Sequence, residues 1–123
     1  MVPGLTICIQ TPESLVLAIS QPVESVEYPG FYMIPYFSNY VISPKGLLLR
    51  RVNNREMVPS QTSLGYYTYR MTDDSSKTRN QLRHRILCLA FKPYNANVEK
   101  MDVNHIDGVP GNDVLSNLEW IIQ

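Results

Sequence analysis

The stretch that decides the fold is Val103-Asn104-His105-Ile106-Asp107-Gly108, followed by Asn112 and then by Ser116-Asn117-Leu118-Glu119-Trp120. Met101 to His105 is expected as a strand, with Asp107-Gly108 and Pro110-Gly111 making a tight connection after it. Asn112 or Asp113 then reads as the N-cap of a short helix running to Trp120. On that reading the segment from Met101 onward forms a hairpin packed on a 113–120 helix. Leu118 and Trp120 are core residues, and Trp120 wedges the helix against the hairpin.

Working back from this stretch, Lys92-Pro93 ends a helix expected over Asn80 to Phe91, because a residue before proline is pushed out of helical geometry. Leu82, Ile86, Leu89 and Ala90 recur there at helical spacing. Cys88 inside that run reads as a buried reduced thiol. Thr72 to Thr78 is polar and reads as a loop. Between about residues 28 and 72 the chain is rich in tyrosine and phenylalanine, which suit half-buried pleated surfaces. Tyr40-Val41-Ile42-Ser43 and Leu47-Leu48-Leu49-Arg50 flank Pro44-Lys45-Gly46 as a β-hairpin, and Leu64 to Arg70 reads as a further strand. Residues 1–27 form an N-terminal extension with a β-like run, Leu5 to Gln10. A Thr11-Pro12-Glu13 helix start and the apolar Leu15 to Ile19 follow. The expected organisation is α+β: this extension, a small β-rich module over 28–72, and a third unit over 73–123.

The 123 residues are enough for one modest core, with 44% hydrophobic and 18% charged residues and zero formal net charge. No run approaches the roughly 18 apolar residues of a membrane span, and no basic region precedes Leu15, so neither a membrane nor a secretory role is expected. Cys8 and Cys88 form no C-x-x-C pair, so no structural zinc site is expected. The charge is unevenly placed. From Lys45 to Lys92 there are ten basic residues against Glu56, Asp73 and Asp74; elsewhere Lys100 stands against eight acids. The basic middle reads either as a phosphate-binding face or as ordinary solvated charge. Its interleaved tyrosines read either as nucleic-acid contacts or as the core of a small sheet.

With His84-Arg85-Ile86-Leu87-Cys88-Leu89-Ala90-Phe91 upstream, the order N-H-x-D-G, asparagine, N-L-E-W resembles the HNH endonucleases of the homing and phage type. Tyr40 to Gly46 and Gly65-Tyr66 also resemble the β-module that often precedes that domain. The resemblance covers roughly residues 28–122. It implies an HNH ββα-metal motif after the β-rich module, and it reverses the ordinary prior that a lone histidine is structural. It implies phosphodiester hydrolysis in double-stranded DNA, one strand at a time, leaving 5′-phosphate and 3′-hydroxyl ends.

Such chemistry needs deprotonated water, charge stabilisation at phosphorus and help for the leaving oxygen. A neutral histidine suits the first task. The resemblance gives it to His105, with Asn117 returning to orient the ring, as catalytic residues. It makes Asn104 a ligand of one divalent ion, Mg²⁺ or Mn²⁺ and not zinc. Asp107, Gly108, Asn112 and Trp120 are structural parts of the motif, and His84 serves packing or a phosphate contact. Arg50, Arg51, Arg55, Arg70, Lys77, Arg79, Arg83 and Arg85 are the DNA-binding candidates.

The family pattern continues beyond N-L-E-W with a further metal ligand, whereas this sequence ends at Gln123. The expectation is therefore a weak metal site, a site completed by Asp102 or Asp107, or lost catalysis. The alternative to an endonuclease is an HNH-derived binding or structural protein, for example of a phage particle. A protein partner through residues 1–27 is open in either case. The expected location is the cytoplasm of an infected host cell, with the virion as the other possibility.

Overall fold

The computed structural model describes residues 21–94 and 97–122. The strand, helix start and apolar run expected within residues 1–20 lie outside the described residues.

Among the described residues the elements are α+β: three small antiparallel sheets and one α-helix. The first sheet holds β1 (Tyr32–Met33), β2 (Tyr40–Ile42), β3 (Leu48–Arg50) and β4 (Arg55–Glu56) in that order. Its central pair is the expected hairpin, registering Tyr40 with Arg50 and Ile42 with Leu48. The second sheet holds β5 (Ser60–Gln61), β6 (Tyr67–Thr72) and β7 (Thr78–Leu82). Here the structure corrects the expectation: Thr72 and Thr78 pair across β6 and β7, and the loop shrinks to the residues between them. Asp73 makes that tight connection by accepting hydrogen bonds from the Ser75 and Lys77 backbone amides. Once Asn80 to Leu82 are committed to β7, the helix α1 starts later than its periodicity suggests and spans Arg83–Phe91. Lys92 ends it in extended geometry, as its proline neighbour requires.

The larger correction concerns residues 113–120. They form no helix. A single 3₁₀ turn at Leu115–Asn117 leads into β9 (Leu118–Ile122), which pairs antiparallel with β8 (Met101–His105). The register sets Val103 opposite Trp120, Asn104 opposite Glu119 and His105 opposite Leu118. Side chains alternate across a strand, so one hairpin face carries Val103, His105, Leu118 and Trp120, and the other carries Asn104 and Glu119. The first face packs on the core. Leu118 is buried among Leu48, Met71, Ile86 and Leu87, and Val103 and Trp120 lie against the same cluster. Trp120 donates from Nε1 to the Lys92 carbonyl at 3.4 Å, so it wedges the hairpin against the end of α1.

That core positions the site. Ile86 to Ala90 are buried on α1, with Tyr69 and Met71 from β6 and Ile42 and Leu48 from the first sheet. Cys88 is buried and unpaired, and burial pushes its thiol up to about 12. Tyr69 reaches from β6 to donate to the Gly46 carbonyl at 2.7 Å, tying the second sheet to the turn of the first. No described helix is long and apolar enough to cross a membrane.

Candidate active site around His105

Three elements meet at His105. It is the last residue of β8, on the core-facing side, and is only 8% exposed. His84 sits in the first turn of α1, and its ring lies edge-to-face on His105 with centroids 4.6 Å apart. Tyr66, just before β6, has its ring 5.5 Å from that of His84 and 5.9 Å from that of His105. The loop between the hairpin strands supplies Asp113.

Asp113 is the buried carboxylate of the site. Its Oδ1 lies 2.7 Å from His105 Nε2, and its Oδ2 accepts from Arg83 Nε at 2.9 Å. A buried carboxylate is costly unless paired and hydrogen-bonded, and both oxygens here are engaged. Arg83 in turn lies 4.2 Å above the Tyr67 ring, which fixes the guanidinium from the other side. The loop has room to approach because residue 111 is glycine. A Cβ there would meet the Tyr67 ring at 3.2 Å and the Gly65 carbonyl at 3.3 Å.

His84 is 5% exposed, and its Nδ1 is buried without a hydrogen-bond partner. Burial, followed by the neighbouring His105, pushes its pKa down to about 4, so the ring is neutral near pH 7. His84, His105 and Asp113 each place one ligating atom within 4.8 Å of the others.

Asn117 acts elsewhere than expected. Its Nδ2 donates to Asp107 Oδ1 and to the Asn112 carbonyl, both at 2.9 Å, and its Oδ1 accepts from the Asp107 amide at 3.0 Å. With both ends of the amide committed to the 107–112 loop, Asn117 braces the hairpin connection; Asp113 orients the His105 ring. Asp107 and Asn112 belong to the same network through Asn112 Nδ2 and Asp107 Oδ2 at 2.8 Å, and neither caps a helix. The Asn112 amide, the Val109 amide and the Asn117 amide together hold the Asp107 carboxyl below the usual carboxylate range. Gly108 takes φ +76° while its amide donates back to the His105 carbonyl, a conformation that suits glycine.

Asn104 lies on the exposed face of the hairpin. Its Nδ2 donates to Glu119 Oε2 at 2.8 Å across the β8–β9 ladder. Sequence reasoning passed over Glu119, although its place in N-L-E-W, one residue from Leu118, is the signal that sets it on Asn104's face.

The basic candidates divide. Arg83 is bound to Asp113. Arg85 donates to the carbonyls of Met101 at 2.6 Å and Val98 at 2.9 Å, and its guanidinium lies 5.3 Å from the Trp120 ring centre. Arg51 pairs with Glu27 and donates to the Ser38 carbonyl. These three hold the fold together. Arg50, Arg55, Arg70, Lys77 and Arg79 are exposed. Arg50 and Arg55 stand opposite one another on β3 and β4, whereas Arg70 and Arg79 occupy opposite faces of the β6–β7 ribbon. The eight therefore do not form one face. Beside the site a cleft of about 430 Å³ is lined by Lys45, Arg83, Asn112 and Asp113. A larger hollow of about 550 Å³ is lined by Asp73, Asp74 and Glu99 against Arg85, a net negative wall that does not suit a phosphate.

No family model matches the sequence, and no curated protein matches it. Among solved structures, the chain is similar to one describing DNA binding and cleavage by the HNH homing endonuclease I-HmuI. The TM-score is 0.62 at 22% identity, and the match covers 76% of this chain. The chain matches 52% of that protein, about half its length. A likeness at this identity carries the fold alone, which is HNH-like.

Proposed function

We propose that this protein hydrolyses phosphodiester bonds in duplex DNA with a divalent cation, one strand at a time, with His105 as general base. The observation that carries the reading is the chain Arg83–Asp113–His105 at the end of β8. A histidine whose ring nitrogen is held by a buried carboxylate has a fixed orientation, which is what removing a proton from water demands. The likeness in fold to an HNH homing endonuclease supports a nuclease reading of this site.

Asn104 and Glu119 fit a hard cation. Their side chains meet on an exposed face, and an amide oxygen and a carboxylate are the donor types Mg²⁺ and Mn²⁺ accept, with water completing the shell. Such an ion would supply charge stabilisation at phosphorus and at the leaving oxygen, from the hairpin face opposite to that of His105. The chain's own groups do the rest. His105 takes the proton, Asp113 holds the ring, and Lys45 at the neighbouring cleft draws in the phosphate. The cross-strand pair Arg50 and Arg55 sets like charges side by side, an arrangement that costs stability unless an anion lies over it.

A second reading is an HNH-fold protein that binds DNA or another protein without cutting. Two observations favour it: His105 is only 8% exposed, and the residue beside it, Asn104, is neutral. Nicking of a supercoiled plasmid in millimolar Mg²⁺ or Mn²⁺ separates the two, with Asn104→Asp alongside the wild type. Added negative charge on Asn104 raises metal affinity and nicking if the site is weak. If both proteins leave the plasmid supercoiled, the binding reading stands.

A further inference from the structure

We propose that His84, His105 and Asp113 form a buried site for one borderline divalent transition-metal ion of the Zn²⁺ type, separate from the oxygen donors on the outer hairpin face. Two imidazoles and a carboxylate converge, each with a ligating atom within 4.8 Å of the other two and each residue more than nine-tenths buried. The independent mark of a missing ligand is His84 Nδ1, a buried nitrogen with no hydrogen-bond partner. Buried polar atoms are nearly always satisfied, so an orphan beside two other metal-ligating groups points to an occupant.

The donor set selects the ion. Imidazole nitrogen suits Zn²⁺ and its neighbours, while Mg²⁺ demands an octahedron of oxygen and dehydrates reluctantly. Zinc bonds of about 2.0–2.1 Å place tetrahedral ligands about 3.4 Å apart, so a separation at the 4.8 Å limit has to close by about 1.4 Å. The 2.7 Å contact between His105 Nε2 and Asp113 Oδ1 opens as the ion takes their place.

Occupancy has a consequence that rests on the reading of His105 as base. A neutral imidazole has one in-plane lone pair. Once that pair is given to a metal, the other ring nitrogen holds the proton and the ring can accept none, whichever tautomer is involved. Zn²⁺ at this site is therefore an inhibitor of a Mg²⁺-dependent reaction.

The sequence contains only two histidines, His84 and His105, which makes the test direct. The full chain, labelled with ¹⁵N and stripped of metal, is titrated with ZnCl₂ alone while the ring nitrogens of both histidines are followed by NMR. Both rings are expected to shift together and saturate at one equivalent. Asp113→Asn is expected to weaken the affinity at least about tenfold. If neither ring shifts, if only one does, or if Asp113→Asn binds Zn²⁺ as tightly as the wild type, the proposal is wrong. A protein that binds Zn²⁺ through both rings but never nicks DNA in Mg²⁺ refutes the nuclease reading and leaves this site standing. One that nicks DNA without the histidine shifts refutes this site alone.

Discussion

At the scale of single residues, a buried chain of contacts ties together Arg83, His105 and Asp113, three positions far apart in sequence. Arg83 Nε and Asp113 Oδ2 are 2.9 Å apart, with side chains 18% and 3% exposed. Removing one member of such a pair strands the other in a poor solvent. Arg83→Met is expected to cost about 3–5 kcal/mol of folding stability, measured by chemical denaturation, because Asp113 is left with His105 alone. A loss below about 1 kcal/mol, the range of an exposed pair, would mean that the carboxylate is solvated. Cys88 gives a second residue-scale expectation. Its buried thiol, pushed up to about 12, should resist maleimide in a Cys8→Ser background until the protein is unfolded.

At the scale of elements, the hairpin is the decisive unit, and Leu118 anchors it. Leu118→Ala should cost about 2–5 kcal/mol and detach β9 from the core, seen as early amide exchange in β8 and β9. The β6–β7 turn makes a pH prediction. Hydrogen bonds from the Lys77 amide, the Ser75 side chain and the Ser75 amide lower the Asp73 pKa below its ordinary value of 3.8. A folded-state pKa below the unfolded one stabilises above the unfolded value, and that stabilisation is lost as pH falls through the folded one. The difference in melting temperature between wild type and Asp73→Asn should therefore be present at neutral pH and close as the solution is acidified below 3.8. Much of this architecture was legible: the β2–β3 hairpin from its Pro-Lys-Gly turn, the end of α1 from Lys92-Pro93, and the strand Met101–His105. The final element was not. Asn112 and Asp113 look like caps, and capping chemistry outweighed the alternation of Leu118, Glu119 and Trp120, a strand signal whose meaning depends on pairing with Met101–His105. Asp113 was missed as a site residue for the same reason, since its partners lie eight and thirty residues away and leave no local pattern.

At the scale of the whole molecule, the proposed function requires a chain of zero net charge to meet a polyanion. Its exposed cations are fewer than the sequence suggests, because Arg51, Arg83 and Arg85 hold the fold together. Duplex binding should weaken with salt at a log–log slope no steeper than about −5.4 for Lys45 and the five exposed candidates, against about −8 if the three arginines also neutralised phosphates. Fluorescence anisotropy across a salt series measures that slope, and a value near −8 would return the three arginines to the interface. The claim on which the account turns is that His105 removes a proton during strand cleavage. The measurement is the rate at which supercoiled plasmid becomes open circles in Mg²⁺ or Mn²⁺, for wild type and His105→Ala, with both shown to be folded. Wild type is expected to nick, and His105→Ala to be slower by about 10²–10⁴. Equal rates for the two proteins, or a wild type inert across millimolar metal, would contradict the claim.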